Sequence, residues 1–247
     1  MKNKILKKII GLCGYKLVEK NFFKNQRISN NNSTLNIRNI LENYLRKNKI
    51  ESLIQIGAND GNRFDELSYF IKKYKIKSVL VEPIERYFLE LKNNYKNFDF
   101  VQFENSAISV NNEISHLFTV NEKFLKKYDD HVQGLSSFTK KHLINHGISA
   151  HHIQEKKINS ISMKNLIQKY KIEKLDLIYI DCEGYDGKII LDFILNIKMY
   201  PIIIFEYIHV ENKLLEKVLI TLSKNNFKYF PIKENIICYP SNKELVI

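Results

Sequence analysis

The sequence predicts an α/β fold: a mostly parallel sheet with helices on both faces and an antiparallel pair of strands at the C-terminal end. Two short runs, Leu175–Ile180 and Pro201–Phe205, are apolar almost throughout, which is typical of parallel strands buried on both faces. Segments with apolar residues at helical spacing separate such runs along the chain. The last two runs, Phe227–Phe230 and Asn235–Tyr239, lie close enough in the chain to pair antiparallel.

The N-terminal part of the chain contains two predicted helices. Apolar residues recur at every third or fourth position over residues 5–17, with lysines off that face, which predicts a short basic amphipathic helix. Thr34 can cap a second helix that ends near Lys47. We therefore divide the chain into a basic helical N-terminal segment, residues 1–48, and a domain formed by residues 49–247.

Within this domain, predicted strands alternate with predicted helices. The strands are short apolar runs that end at glycine, proline or polar residues, and the helices carry apolar residues on one face. In addition to the four runs above, strands are predicted at Ser52–Ile56, Lys77–Val81, Phe98–Phe103 and Ile153–Ile161. Helices are predicted at Phe64–Tyr74, Ile84–Tyr95, Leu166–Tyr170, Gly187–Ile197 and Asn212–Lys224.

Two segments in the middle of the chain depart from this alternation. Ala107–Val110 and Ile114–Val120 flank the polar residues Asn111–Glu113, which predicts a β-hairpin. Residues 121–150 show no sustained periodicity. A loop of this length inside a compact domain is usually functional or disordered.

The basic charge of the chain is concentrated near its N-terminus. Of the formal net charge of +12, residues 1–50 carry +10, so the rest of the chain is nearly neutral. A basic amphipathic helix can bind an anionic membrane surface, and a peripheral contact at the inner face of the membrane is one interpretation of this segment. Packing of the helix on its own domain is the alternative. No recognised nucleic-acid-binding motif is present, so we expect no nucleic-acid partner.

Composition and cysteine spacing favour a globular cytoplasmic protein. Apolar residues make up 44% of the chain and charged residues 27%, which excludes disorder over its whole length. Cys13, Cys182 and Cys238 have no paired spacing and are interpreted as reduced thiols. No apolar run approaches the ~18–20 residues that a membrane span requires. A homodimer is left open.

A glycine-containing turn follows the first predicted strand of the domain, in the sequence SLIQIGANDGNRFDEL. Gly57 and Gly61 permit unusual backbone angles and a close approach of the backbone to a ligand. In open α/β sheets, ligands bind beyond the carboxyl ends of the strands. The turn is not the GxGxxG fingerprint of dinucleotide-binding folds, because Asn59 and Phe64 occupy two of the glycine positions.

Polar residues follow the next two strands as well. Glu82 ends the second strand, about twenty residues after the turn, at the distance where a carboxylate accepts hydrogen bonds from both ribose hydroxyls of an adenosine-containing ligand. After the third strand, Asn105, Ser106 and Ala107 stand where the adenine ring would lie.

Acids follow the two continuous apolar runs Leu175–Ile180 and Pro201–Phe205. Asp181 and Glu183 come directly after LDLIYI, and Glu206 ends PIIIFE. Because the carboxyl ends of parallel strands meet at one edge of a sheet, we expect these acids to line one cleft, where each is a candidate general base. Alternative bases are the histidines of the central segment: His131, His142, His146, His151 and His152. Three carboxylates could also hold a divalent cation, although we expect no metal.

Taken in order, these motifs resemble the FkbM family of methyltransferases. IGANDG, VEP, ENSAIS, the serine pair of GLSSF, IDCEGYDGKI and IIIFE have the order and spacing of that family over about residues 50–210. The resemblance implies a Rossmann-like class I methyltransferase fold with S-adenosylmethionine as the methyl donor. It also implies that the usual reaction is O-methylation.

The resemblance assigns roles to individual residues. The residues expected to bind S-adenosylmethionine are Gln55, Gly57, Ala58, Asn59, Asp60, Gly61, Glu82, Asn105, Ser106, Ala107 and Asp181. The expected catalytic residues are Asp181, Glu183 and Glu206, which would face the sulfonium and the acceptor. One position departs from the family, which commonly has Asp where this chain has Gln55. A glutamine can hydrogen-bond the methionine amine but supplies no charge.

The implied acceptor is a hydroxyl group of a sugar, a surface polysaccharide or its precursor. A small natural product is the alternative acceptor. Two other classes of function stay open on the residues alone. The glycine turn and Glu82 are compatible with a nicotinamide-dependent oxidoreductase, and the basic N-terminal segment is compatible with a non-enzymatic protein that binds nucleic acid or a membrane surface.

Overall fold

The computed structural model describes residues 37–47, 50–63, 65–110 and 115–243. The amphipathic helix predicted over residues 5–17 and the capping residue Thr34 lie outside these ranges, as does the proposed membrane contact. Among the described helices, none is long and apolar enough to cross a membrane.

Twelve strands and eight α-helices are found in the described part of the chain. In chain order the strands are β1 (Ser52–Ile56), β2 (Lys77–Val81), β3 (Val101–Glu104), β4 (Ala107–Ile108), β5 (Ser115–Val120), β6 (Ser136–Ser137), β7 (Ile153–Ile158), β8 (Ser160–Ile161), β9 (Leu177–Ile180), β10 (Ile202–Glu206), β11 (Phe227–Ile232) and β12 (Asn235–Pro240). The helices are α1 (Ile37–Lys47), α2 (Ser68–Tyr74), α3 (Glu85–Asn94), α4 (Asp130–Gln133), α5 (Lys140–Asn145), α6 (Met163–Lys169), α7 (Asp186–Asn196) and α8 (Asn212–Lys224).

Seven strands form the central sheet in the order β3-β2-β1-β9-β10-β12-β11. The first five run parallel to one another, whereas β12 pairs antiparallel with both β10 and β11. The predicted α/β class with a terminal antiparallel pair is therefore confirmed. Chain order reverses between β1 and β9, and such a reversal opens a crevice at the carboxyl ends of the two strands.

Helices cover both faces of this sheet. α1, α2 and α3 contribute to the apolar cluster on one face, and α6, α7 and α8 to the cluster on the other. Neighbouring strand residues point to opposite faces, so Leu53 joins the first cluster and Ile54 the second. Burying one such side chain stabilises the fold by about 1.5–3 kcal/mol, which is why these strands are apolar at nearly every position.

The predicted helix over residues 64–74 begins later than expected, at Ser68. The carboxylate of Asp65 accepts hydrogen bonds from the backbone N–H groups of Leu67 (2.8 Å) and Ser68 (3.1 Å), which satisfies donors at the start of α2. Residues 57–63 and 65–67 belong to the turn that follows β1.

The predicted β-hairpin in the middle of the chain is wrong. β4 pairs in parallel with β8, while β5 pairs antiparallel with β7 and β6. The polar residues Asn111–Glu113 provided a local turn signal, but the partner of β5 lies much further along the chain, where His116 stands opposite Lys157. Register in such a sheet depends on tertiary packing that a local pattern does not contain.

Residues 107–161, inserted between β3 and α6, are called the insertion. Its central part, predicted as a loop, contains α4, β6 and α5 together with two 3-10 turns at Glu122–Lys127 and Ala150–His152. These short elements enclose a separate apolar cluster formed by Val120, Leu125, Val132, Leu135, Leu143 and Ile148. The insertion is thus a packed unit, and it contributes side chains to the site described next.

Candidate functional site

A cavity of about 540 Å³ lies at the carboxyl ends of β1, β2, β9 and β10. Its volume falls within the range of about 300–1,000 Å³ that is typical of small-molecule sites. Gly134, Ser136, Ser137 and Phe138 of the insertion also line it. The site is therefore formed between the sheet edge and the insertion.

The glycine turn after β1 makes a close contact with the residue that follows β9. Gly57 has φ +81°, and a Cβ atom placed there would lie 2.0 Å from the carbonyl oxygen of Asp181. The N–H groups of Gly57 and Ala58 both donate to the carbonyl of Val81 at 3.0 Å. Only glycine allows this approach, which brings the ends of β1, β2 and β9 together around the cavity.

Two residues of the predicted cofactor set shape this turn and are not among the residues that line the cavity. The carboxylate of Asp60 accepts hydrogen bonds from the backbone N–H groups of Asn62 and Arg63 and pairs with the Arg63 guanidinium. Gly61 has φ +67°, and a Cβ atom there would lie 2.4 Å from the Leu91 side chain. Gly61 therefore lets the turn pack against α3.

Glu82 is buried and lines the cavity. One carboxylate oxygen accepts from the N–H of Asn59 (2.9 Å) and the other from the N–H of Ile84 (2.8 Å). Each oxygen keeps a lone pair for a ligand. Burial raises the pKa of Glu82 to about 7, although these two hydrogen bonds lower it in part.

Of the three residues expected around the adenine, two line the cavity and one does not. Ser106 and Ala107 line the cavity. Asn105 is not among its lining residues; its side-chain amide donates to the carbonyl of Glu82 at 2.9 Å and holds the end of β2.

Gln55 has a charged neighbour that the sequence patterns did not reveal. Its side-chain amide donates to Asp65 Oδ1 at 3.2 Å, and both residues line the cavity. Gln55 Oε1 and Asp65 Oδ2 are buried and have no hydrogen-bond partner among the described residues. Burial raises the pKa of Asp65. The only signal in the sequence was an acid in the first turn of the helix predicted from Phe64.

The three predicted catalytic acids, Asp181, Glu183 and Glu206, all line the cavity. Asp181 is exposed where it meets the cavity, but protein atoms pack closely around its carboxyl group. This desolvation raises the pKa of Asp181 well above its usual range, and the neighbouring Glu183 raises it further. Burial, together with the nearby Asp181, raises the pKa of Glu206 to about 10. Glu206 Oε2 has no hydrogen-bond partner among the described residues. This concentration of acids favours a positively charged ligand.

Two of the five candidate histidines meet these acids. His142 Nε2 lies 2.8 Å from Glu183 Oε2, and His146 lines the cavity. His151 is exposed, His152 stacks on Phe124, and nothing is described for the His131 side chain.

The structure adds His209, a histidine that was not predicted. Its Nε2 lies 3.7 Å from Glu183 Oε2 and 3.8 Å from Glu206 Oε2. The sequence signal was its position three residues after the acid that ends β10. Burial lowers the pKa of His209.

Comparison with known families gives one match that covers most of the chain. Residues 55–229 match the family model described as the methyltransferase FkbM domain. A comparison with curated proteins found no match.

Three solved structures illustrate the structural neighbours. A methyltransferase FkbM from Methylobacillus flagellatus KT is 13% identical with a TM-score of 0.45; the alignment covers 76% of this chain and 43% of that one, so this chain spans less than half of its length. An O-methyltransferase from Bacillus cereus in complex with SAH is 8% identical, with coverages of 96% and 97% and a TM-score of 0.44. The N-methyltransferase NodS from Bradyrhizobium japonicum WM9 is 10% identical, with coverages of 90% and 97% and a TM-score of 0.39.

Proposed function

The chain belongs to the FkbM methyltransferase family, and on this premise we propose that it transfers a methyl group from S-adenosylmethionine to a hydroxyl group of a sugar, a surface polysaccharide or its precursor. A small natural product is the alternative acceptor. The family assignment and the absence of GxGxxG both speak against a nicotinamide-dependent oxidoreductase.

The observation that carries this proposal is the position of Glu82. Its carboxylate is buried at the cavity, held by two backbone N–H groups, and keeps an acceptor position on each oxygen. A pair of adjacent ribose hydroxyls matches this arrangement because each hydroxyl can donate to one oxygen. Ser106 and Ala107, the residues expected beside the adenine, also line the cavity.

Gln55 and Asp65 suit the other end of the same ligand. Both have a buried acceptor atom without a partner among the described residues, and such atoms cost free energy unless a ligand donates to them. The α-ammonium group of the methionine part is a donor of the required charge. Asp65 would thereby supply the negative charge that Gln55 lacks.

The acids at the ends of β9 and β10 would handle the proton of the acceptor. When bound, S-adenosylmethionine supplies an electrophilic methyl group, which the acceptor oxygen takes as that oxygen loses its proton. Asp181, Glu183 and Glu206 all line the cavity, and the positive sulfonium of the bound donor would favour their ionised forms, so the proton can pass to one of their carboxylates. We favour Glu183 as the base, since Asp181 lies beside the glycine turn and so nearer the expected methionine position.

Replacing Glu82 with Ala tests the proposal directly. We expect Glu82→Ala to weaken the binding of S-adenosylhomocysteine about tenfold or more, because charge-assisted hydrogen bonds contribute roughly 1.5–3 kcal/mol. Isothermal titration calorimetry with S-adenosylhomocysteine, and with NAD as the competing ligand, measures this. Glu85→Ala is the matched control, because Glu85 is exposed and lies three residues further on. Unchanged affinity in a folded Glu82→Ala variant would refute the ribose assignment.

The raised pKa of Glu82 predicts that ligand affinity depends on pH. With a pKa of about 7 in the free protein, Glu82 is mostly protonated at pH 6 and must release its proton before it can accept from both hydroxyls. We expect the affinity for S-adenosylhomocysteine to fall about tenfold from pH 8 to pH 6. Two other carboxyls at the cavity, those of Asp181 and Glu206, also have raised pKa values. The informative quantity is therefore the difference in pH dependence between the unmodified protein and Glu82→Ala, because the variant lacks the tenfold component that Glu82 contributes. The same pH dependence in both proteins would contradict the prediction.

A further inference from the structure

Four side chains beside the catalytic acids converge on one point. One nitrogen from each of His142, His146 and His209 and one oxygen from Glu183 all lie within 4.8 Å of one another. We propose that these four residues bind a divalent transition-metal ion such as Zn²⁺.

The spacing of the ligand atoms suits one metal ion. Glu183 Oε2 lies 2.8 Å from His142 Nε2 and 3.7 Å from His209 Nε2. Zinc binds imidazole nitrogen and carboxylate oxygen at about 2.0–2.2 Å, so two ligands of one ion are roughly 3–3.5 Å apart. The two observed separations fall on either side of that value. The remaining separations reach at most 4.8 Å, so side chains must move by up to about 1.5 Å to bring all four atoms to such distances.

The donor set selects the class of metal. Three imidazoles and one carboxylate suit zinc and the other first-row transition metals, whereas magnesium and calcium prefer oxygen ligands. The imidazole rings of His142, His146 and His209 are in mutual contact, with centroid separations of 4.6–5.0 Å. The sequence analysis left open a different cation site, formed by the carboxylates of Asp181, Glu183 and Glu206. The two sites have only Glu183 in common.

Each ligand is held by a packed element. His142 and His146 lie four residues apart at α5, which is anchored by the fully buried Leu143 in the apolar cluster of the insertion. A Cβ atom on Gly184 would lie 2.7 Å from the carbonyl oxygen of His209, so the loops after β9 and β10 are in direct contact. The ligand set is therefore preorganised by the fold, as metal sites require.

The backbone next to the site supports a ligand-binding role. Glu183 has φ +50°, a left-handed conformation that is unfavourable for a residue with a side chain. The carboxylate of Asp186 stabilises the loop by accepting from the N–H groups of Cys182 (3.2 Å) and Gly184 (3.1 Å). Strained residues of this kind persist where the surrounding structure imposes them, often at functional sites.

The proposed ion would face the cavity, because Glu183, His146 and His209 all line it. Its role in the reaction depends on the proposed function: an ion here would bind the acceptor hydroxyl as a fifth ligand and lower its pKa. Proton transfer would then fall to Asp181 or Glu206, whose ionised forms the positive ion would favour, rather than to Glu183. The existence of the site can be tested without any assay of methyl transfer.

The test is metal binding by the full chain after treatment with a chelator. We expect the protein to take up about one equivalent of Zn²⁺, measured by mass spectrometry after dialysis, and to give a Co²⁺ absorption spectrum of low coordination number. His142→Ala and His209→Ala should each weaken Zn²⁺ binding more than the ~10–100-fold typical of residues that only orient a ligand. His116→Ala is the matched control, because His116 is an exposed histidine of β5. Excess Mg²⁺ should not displace the ion.

The outcomes separate this proposal from the proposed function. Failure to retain Zn²⁺ or Co²⁺, equal metal affinity in the cluster variants and the control, or displacement by Mg²⁺ would each overturn the metal site. S-adenosylhomocysteine binding should persist in His142→Ala and His209→Ala, and its persistence would show that these variants are folded. If the unmodified protein binds zinc as expected but does not bind S-adenosylhomocysteine, the result would instead count against the proposed function.

Discussion

Replacing Asp181 with Asn or Glu183 with Gln is expected to lower turnover by ~10²–10⁴-fold, the range for loss of general-base catalysis. The amide keeps the size of the side chain but removes the charge that receives the proton. Because neither amide removes Glu82, Gln55 or Asp65, the affinity for S-adenosylhomocysteine should change far less. Steady-state kinetics with an identified acceptor and calorimetry of the same proteins give both quantities.

Metal content separates the two ways in which these variants can fail. Glu183→Gln removes a proposed metal ligand and should lose both zinc and turnover, whereas Asp181→Asn should lose turnover and keep zinc. A chelator should stop the reaction reversibly if the ion takes part, and should have little effect if a side chain alone is the base. Glu216→Gln on the exposed face of α8 is the control. Near-normal turnover in both amide variants would show that these acids are not the catalytic group.

The second large effect is expected from Gly57→Ala. An alanine Cβ would lie 2.0 Å from the Asp181 carbonyl oxygen, and φ at this position is +81°. The backbone angle alone costs an alanine roughly 1–2 kcal/mol, and the collision must push the ends of β1 and β9 apart. We expect a total loss of about 3–5 kcal/mol in the free energy of unfolding. S-adenosylhomocysteine binding should be lost as well.

Gly147 provides a matched control for this substitution. It also has φ +81°, but a Cβ atom there would meet nothing within 4 Å. Gly147→Ala should therefore cost only the roughly 1–2 kcal/mol of the unfavourable backbone angle. Chemical denaturation of both variants measures the difference, which isolates the collision with Asp181. Equal stability losses would show that the contact between the two strand ends is not important.

Local patterns in the sequence were sufficient for the elements that depend on near neighbours. The strands β1 and β2 and the helix α8 have the predicted bounds, because apolar periodicity and the residues that end an element are properties of adjacent positions. The glycine turn and the acids at strand ends could also be located this way. Their positions in a parallel sheet place them at one edge, and Glu82, Asp181, Glu183 and Glu206 do line one cavity.

The sequence by itself thus determined the α/β class, the family and most of the strand-end residues around the cavity. Only the tertiary structure decided how the insertion pairs, since β5 joins β7 rather than the nearby β4. It also decided that Asp65 supports Gln55, and that His142 meets Glu183 across 41 positions of sequence. Such contacts depend on the packing of separate elements, and no periodicity or spacing along the chain encodes which loops will touch.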